Sequence, residues 1–168
     1  MLASGDVDAI TGFSFTSYVG LEKNGVPASD ISLMLMSDLG LDLYGNAIIV
    51  NPDFATKNPG AVKAFLRAAV KGYKATIANP SAAVEHVLSR NTESDRATEL
   101  KRLIMAIGHH IVTDEVRSSG LGDVVAARLE KSIDQLATIH DFAVVPAASD
   151  IFDNSYLPAM ATRRLDTQ

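Results

Sequence analysis

Hydrophobic positions change their spacing once along this chain, close to residue 51. Before that point they come as short runs. Residues 7–10 are mostly apolar and are flanked by Ser4-Gly5-Asp6 and Thr11-Gly12. Residues 31–36 are richer still and stop at Ser37-Asp38-Leu39-Gly40, and residues 47–50 end at Asn51-Pro52. Short apolar runs with β-branched members between turn signals predict buried strands, and Pro52, lacking an N–H, cannot prolong the last one.

After residue 51 the period becomes helical. Asn58-Pro59 is a helix start, with asparagine as cap and proline at the first position, where no N–H is needed. Val62, Phe65, Leu66, Ala69, Val70, Tyr73 and Ile77 then follow at three- and four-residue steps, predicting one apolar stripe. Asn79-Pro80 repeats the start signal for a shorter helix that buries Val84, Val87 and Leu88. Leu100, Leu103, Ile104 and Ile107 mark a third helix. Asp123 is the expected cap of a fourth, with the stripe Val124, Val125, Leu129, Ile133 and Leu136. The order is therefore α/β, a few strands followed by a helix-rich remainder.

Composition narrows the class. Of 168 residues, 47% are hydrophobic and 21% charged, the balance of a folded domain and not of a disordered tail. Net charge is −5 and the 15 basic residues are dispersed in sequence, which disfavours nucleic acid as a partner. No apolar run reaches the roughly 18–20 residues of a membrane span, so direct membrane insertion is not expected. Cysteine is absent, which removes disulfides, thiol chemistry and cysteine-held metals. No basic stretch followed by an apolar core, the mark of a signal peptide, appears near Met1.

Several segments resemble one family. Ser4-Gly5-Asp6-Val7-Asp8-Ala9-Ile10 is similar to the "G-x-V-D-A" strand of type II periplasmic binding proteins. Asp38-Leu39-Gly40 and Tyr44-Gly45-Asn46-Ala47-Ile48-Ile49-Val50 resemble the strand that crosses between the two lobes of that fold. Asn58-Pro59-Gly60-Ala61-Val62-Lys63-Ala64-Phe65-Leu66-Arg67-Ala68 looks like the following helix in the nitrate/sulfonate/taurine and thiamine-pyrimidine group. Asn79-Pro80, Gly120-Leu121-Gly122 and Ile151-Phe152 with Tyr156-Leu157-Pro158 continue the likeness in order.

The resemblance implies a partial type II periplasmic-binding-protein fold. Residues 1–43 would be the remainder of the second lobe, 44–50 the crossover, and 51–168 the helical C-terminal part of the first lobe. It further implies the solute-binding component of an ABC importer, truncated at its N-terminus, working outside the cytoplasm and docking on a membrane permease. Such a protein binds a small molecule, is not an enzyme and needs no cofactor. The alternative is an enzyme of the same fold, such as a thiamine-pyrimidine synthase-like protein, which uses histidine or other reactive groups in its cleft. A regulator's effector-sensing domain is a third reading, and it normally carries a helix-turn-helix that is not seen here.

Candidate ligand contacts come from two places. Thr11, Gly12, Phe13 and Ser14 follow the first predicted strand, where open α/β folds bind ligands outside the strand ends. Gly12 permits close approach, the hydroxyls can hydrogen-bond, and Phe13 or Phe15 can stack on a flat ring; the same residues also suit an ordinary turn with both rings in the core. Tyr44 and Asn46 lie at the crossover, where a hinge and a ligand contact coincide, or where Gly45 merely eases a tight passage while Tyr44 packs. No metal site is expected: His109 and His110 are neighbours, about 100° apart on a helix, and fit better as helix-end residues in solvent. His86 and His140 are isolated. Asp6 and Asp8 have no partner base, Arg163-Arg164 reads as a solvated tail, and Gly120-Leu121-Gly122 reads as a linker.

Overall fold

A strand is a property of a pair, because its N–H and C=O groups need a neighbouring chain to bond to. In the structure, a computed structural model describing residues 1–41 and 43–165, none of the three predicted strands has such a neighbour. Residues 7–10 and 43–50 run without regular structure, and residues 31–36 run irregularly into a 3₁₀ turn at Met36–Leu39. No strand occurs among the described residues, so the α/β expectation, and with it the partial type II periplasmic-binding-protein fold, is corrected to a helical architecture. The β-branched side chains at residues 48–50 remain in solvent, Ile49 being 90% exposed.

The helices are α1 (Ser14–Lys23), α2 (Pro52–Lys57), α3 (Pro59–Ala78), α4 (Pro80–Leu88), α5 (Arg96–Ala106), α6 (Asp114–Ser119), α7 (Ala126–His140), α8 (Ala148–Ile151) and α9 (Met160–Arg163). Asparagine–proline starts work as expected for α4, where the Asn79 side chain accepts from Ala82 N at 3.0 Å, and equally for α2, where Asn51 accepts from Phe54 N at 3.1 Å. Each leaves proline at the first position, where its missing N–H costs nothing. Replacing Asn79 with alanine should remove about 1 kcal/mol of stability, readable as a shift of the urea midpoint with unchanged slope.

Asn58 departs from the expected role. Its carbonyl accepts from Ala61 and Val62, but its side chain reaches back to Phe54 O at 3.3 Å and so closes α2. The α3 stripe is narrower than its spacing predicts: Val62 and Val70 are buried, whereas Phe65 and Tyr73 are half exposed. Asp123 does not cap α7; the residue before that helix is Val125, and Asp123 bonds elsewhere.

The chain forms two compact units, Met1–Leu39 with Ala75–Val112 and Gly40–Lys74 with Thr113–Gln168. In the first, α1 and α4 pack on α5, burying Val19, Leu21 and the fully enclosed Val84. In the second, the buried residues include Ala55, Val62, Val70, Leu121, Leu129 and Ile133. Arg163 is buried there too, only 6% exposed, which corrects its reading as a solvated tail.

Candidate functional site

The first unit brings together a group of side chains far apart in sequence. α1 and α5 run antiparallel, and the pairing can be followed along them. Glu22 near the end of α1 accepts from Lys101 Nζ at 2.5 Å, and Lys101 also lies 5.6 Å from the Tyr18 ring centroid. Moving eight residues back along α1 reaches Ser14; moving eight residues forward from Lys101 reaches His109. There Ser14 Oγ lies 3.2 Å from His109 Nδ1 and 2.9 Å from His110 Nε2.

Two adjacent histidines reach one oxygen because the helix widens at this point. Residues Ile107–Ile111 form a π-turn, closed by Val112 N–H donating to Ile107 O at 2.8 Å across five residues. The two rings also use different edges, Nδ1 of one and Nε2 of the next, with centroids 6.1 Å apart. Ser14 is 3% exposed and has one hydrogen to give. It can donate to one ring nitrogen and accept from an N–H of the other, the roles being set by the histidine tautomers.

Aromatic rings frame the hydroxyl. Phe13 and Phe15 stack at 5.3 Å and 23°, and His110 meets Phe15 edge-on at 5.5 Å and 78° and Phe13 at 6.3 Å and 88°. Phe13 is half exposed, so a face of this ring cluster is open to a solute. Burial among the rings holds the His110 imidazole below the usual histidine range, and His109 adds in the same direction. Thr11 and Gly12 are exposed just upstream, and the Ser17 hydroxyl fills the space that a Cβ on Gly12 would take.

Of the candidate residues, Thr11, Gly12, Phe13 and Ser14 thus gather in the first unit, and Tyr44 and Asn46 belong to the second. Asn46 is exposed. Tyr44 is engaged on both sides of its hydroxyl: it donates to Glu115 Oε1 at 2.5 Å and accepts from Val125 N at 2.8 Å. Arg128 completes the group, donating to Glu115 Oε2 at 2.8 Å and to Leu43 O at 3.1 Å, with its guanidinium 4.2 Å from the Tyr44 ring centroid. Burial and the hydrogen bond to Glu115 push the Tyr44 phenol up to about 12.

Sequence reasoning missed His109, His110, Glu115 and Arg128. It read the histidines as helix-end residues in solvent; both are exposed, as expected, but they are not away from the candidate loops, since each also touches Ser14.

Residues 1–83 match the family model described as NMT1/THI5 like, a segment that includes Thr11 to Ser14, Tyr44 and Asn46. Residues 1–83, just under half of the 168, are similar to the NMT1/THI5-like family. The two histidines, Glu115 and Arg128 lie beyond the matched segment. Neither a curated protein nor a solved structure matches the chain. Among the described residues no helix is long and apolar enough to cross a membrane.

Proposed function

We propose that this NMT1/THI5-like protein is the solute-binding component of an ABC importer, working outside the cytoplasm with a membrane permease as its partner. Its ligand sits on the open face of the ring cluster at Thr11, Gly12, Phe13 and Ser14. The observation that carries this reading is the pair of stacked phenylalanines closed by the edge of His110, next to a hydroxyl held in place by two imidazoles. Stacked rings supply a flat apolar platform and the histidines supply directional polar contacts, the combination by which pockets orient a small planar solute. Within the family's range a thiamine-pyrimidine-like ring suits the platform better than nitrate or taurine.

The test is thermal unfolding of the 168-residue chain against pyrimidines, sulfonates, nitrate and taurine. A pyrimidine at 100 times its dissociation constant should stabilise by about 2.7 kcal/mol. Phe13→Ala should abolish the shift without unfolding α1, since Phe13 is half exposed. No shift with any solute, or a shift that survives Phe13→Ala, would refute the proposed site.

A synthase-like enzyme is the second reading. It is favoured by the histidines at Ser14, because reactive imidazoles in the ligand site are what that alternative needs. Mass spectrometry of the incubated solute separates the two, a binding protein returning its ligand unchanged.

A further inference from the structure

We propose that the outer face of α3 docks an acidic amphipathic helix of a partner protein. The basic residues of this chain are dispersed in sequence, but α3 gathers four of them into one row. Lys63, Arg67, Lys71 and Lys74 follow one another at steps of four, four and three residues, and α3 holds no acidic residue. At about 100° per residue, these positions fall within about 80° of the helix circumference. The row stands on a chain whose net charge is −5. Lys63, Arg67 and Lys71 are exposed. Among the described residues no carboxylate pairs with Arg67 or Lys71, and Lys63 lies 6.0 Å from the Tyr156 ring centroid.

The residues beside the row decide the kind of partner. Ala64, Ala68 and Gly72 each follow a basic residue by one position, and all three are exposed. A Cβ added to Gly72 would meet nothing within 4 Å, so the chain itself leaves that point uncovered. Phe65, 59% exposed, stands about 100° round from Ala64 and bounds this floor on the side away from the charges. The valines that α3 buries, Val62 and Val70, lie on its other side. Small side chains let a second helix axis come close. A second α-helix also repeats its side chains at the same interval of about 5.4 Å per turn. It can lay large apolar residues on the alanine–glycine floor and set its carboxylates along the lysine–arginine row, as charged flanks line the seam of paired helices. A layer of anionic headgroups matches the charge but not the floor, because alanine and glycine give a bilayer little to take up. The inference rests on α3 alone and not on the importer reading.

Fluorescence anisotropy of labelled synthetic helices titrated with the full chain tests it. One peptide carries glutamates at steps of four, four and three residues with a leucine beside each. A second holds the same residues in scrambled order, its glutamates spread around the helix. The first should bind about tenfold tighter than the second, and added NaCl should weaken it. Arg67→Glu combined with Lys71→Glu should weaken the first peptide about tenfold, with circular dichroism unchanged because both side chains are exposed. Ala68→Gln, which fills the floor and leaves the charges alone, should weaken it as well. No binding of the first peptide, equal binding of the two, or binding that survives the charge reversal would overturn the proposal. Sedimentation of the chain with phosphatidylglycerol vesicles, without peptide binding, would overturn it in favour of a membrane surface.

Discussion

Replacing Arg163 with alanine should destabilise the second unit by about 3–5 kcal/mol, the loss expected when one partner of a buried charged network is removed. The guanidinium makes four hydrogen bonds. Nε donates to Pro158 O at 2.9 Å, Nη1 to Ser119 O at 3.1 Å and Leu121 O at 3.0 Å, and Nη2 to Asp123 Oδ2 at 2.8 Å. The backbone locks the same pair of segments, Leu121 N donating to Arg163 O at 3.0 Å. Gly120 and Gly122 take positive φ of 81° and 79° to wrap the loop around this side chain, and a Cβ on Gly120 would stand 3.1 Å from Arg163 Cβ. Alanine would leave three carbonyls and a carboxylate without their donor in a place where little water reaches. Arg163→Lys should recover only part of the loss, because one ammonium cannot serve acceptors spread around a planar fork. Urea unfolding followed at 222 nm reads both. A loss below about 1 kcal/mol for alanine would show that the clasp does not hold the unit together.

Nothing in the sequence marks Arg163 apart from Arg164 beside it. Both stand near a polar end, where solvent is the default environment of arginine. What buries one of them is a loop 40 residues earlier, whose glycines read as a plain linker. The same asymmetry separates what was legible from what was not. The Asn79-Pro80 start was legible because cap and helix are local: the side chain bonds a backbone group three residues on. The histidines were not, since the contact that matters spans 95 residues and depends on how α1 and α5 register. The predicted strands failed on this principle in reverse. Ile48, Ile49 and Val50 have the branched side chains of a strand, but ladder bonding needs a second segment, and none lies beside them among the described residues.

Tyr44 shows the same limit inside the second unit. Sequence reasoning offered two readings, ligand contact or packing, and the tyrosine's hydroxyl is fully occupied by Glu115 and Val125. Its use within the unit makes Asn46, which is exposed, the freer of the two crossover candidates. The histidines gain in the same comparison, for they present ring edges at a surface where a solute can arrive.

Removing Glu115 should produce the second large effect, about 3 kcal/mol, together with a change in how stability depends on pH. Its side chain is 16% exposed and that of its partner Arg128 24%, so little water is at hand to replace the lost acceptor. Glu115→Ala strands the Tyr44 hydroxyl hydrogen and takes away the carboxylate that Arg128 Nη1 meets at 2.8 Å. Burial pushes the Glu115 carboxyl up, but hydrogen bonds from Tyr44 and Arg128 outweigh it and hold the group below its ordinary 4.5. A carboxyl depressed in the folded state stabilises above its unfolded value, and that contribution disappears as pH falls below about 4.5 toward the folded value. Tyr44 acts at the other end. Its phenol, raised to about 12, stabilises the fold below pH 10, and that share is lost as pH climbs from 10 to 12. Glu115→Ala should therefore flatten the acid limb of the stability profile. It should also bring the Tyr44 titration down, because the hydrogen bond to the carboxylate no longer opposes ionisation while burial still does. Urea midpoints across the pH range give the first, and ultraviolet titration of tyrosinate, with Tyr44→Phe as the difference, gives the second. An unchanged acid limb would mean that the Glu115 carboxylate contributes no proton-linked stability.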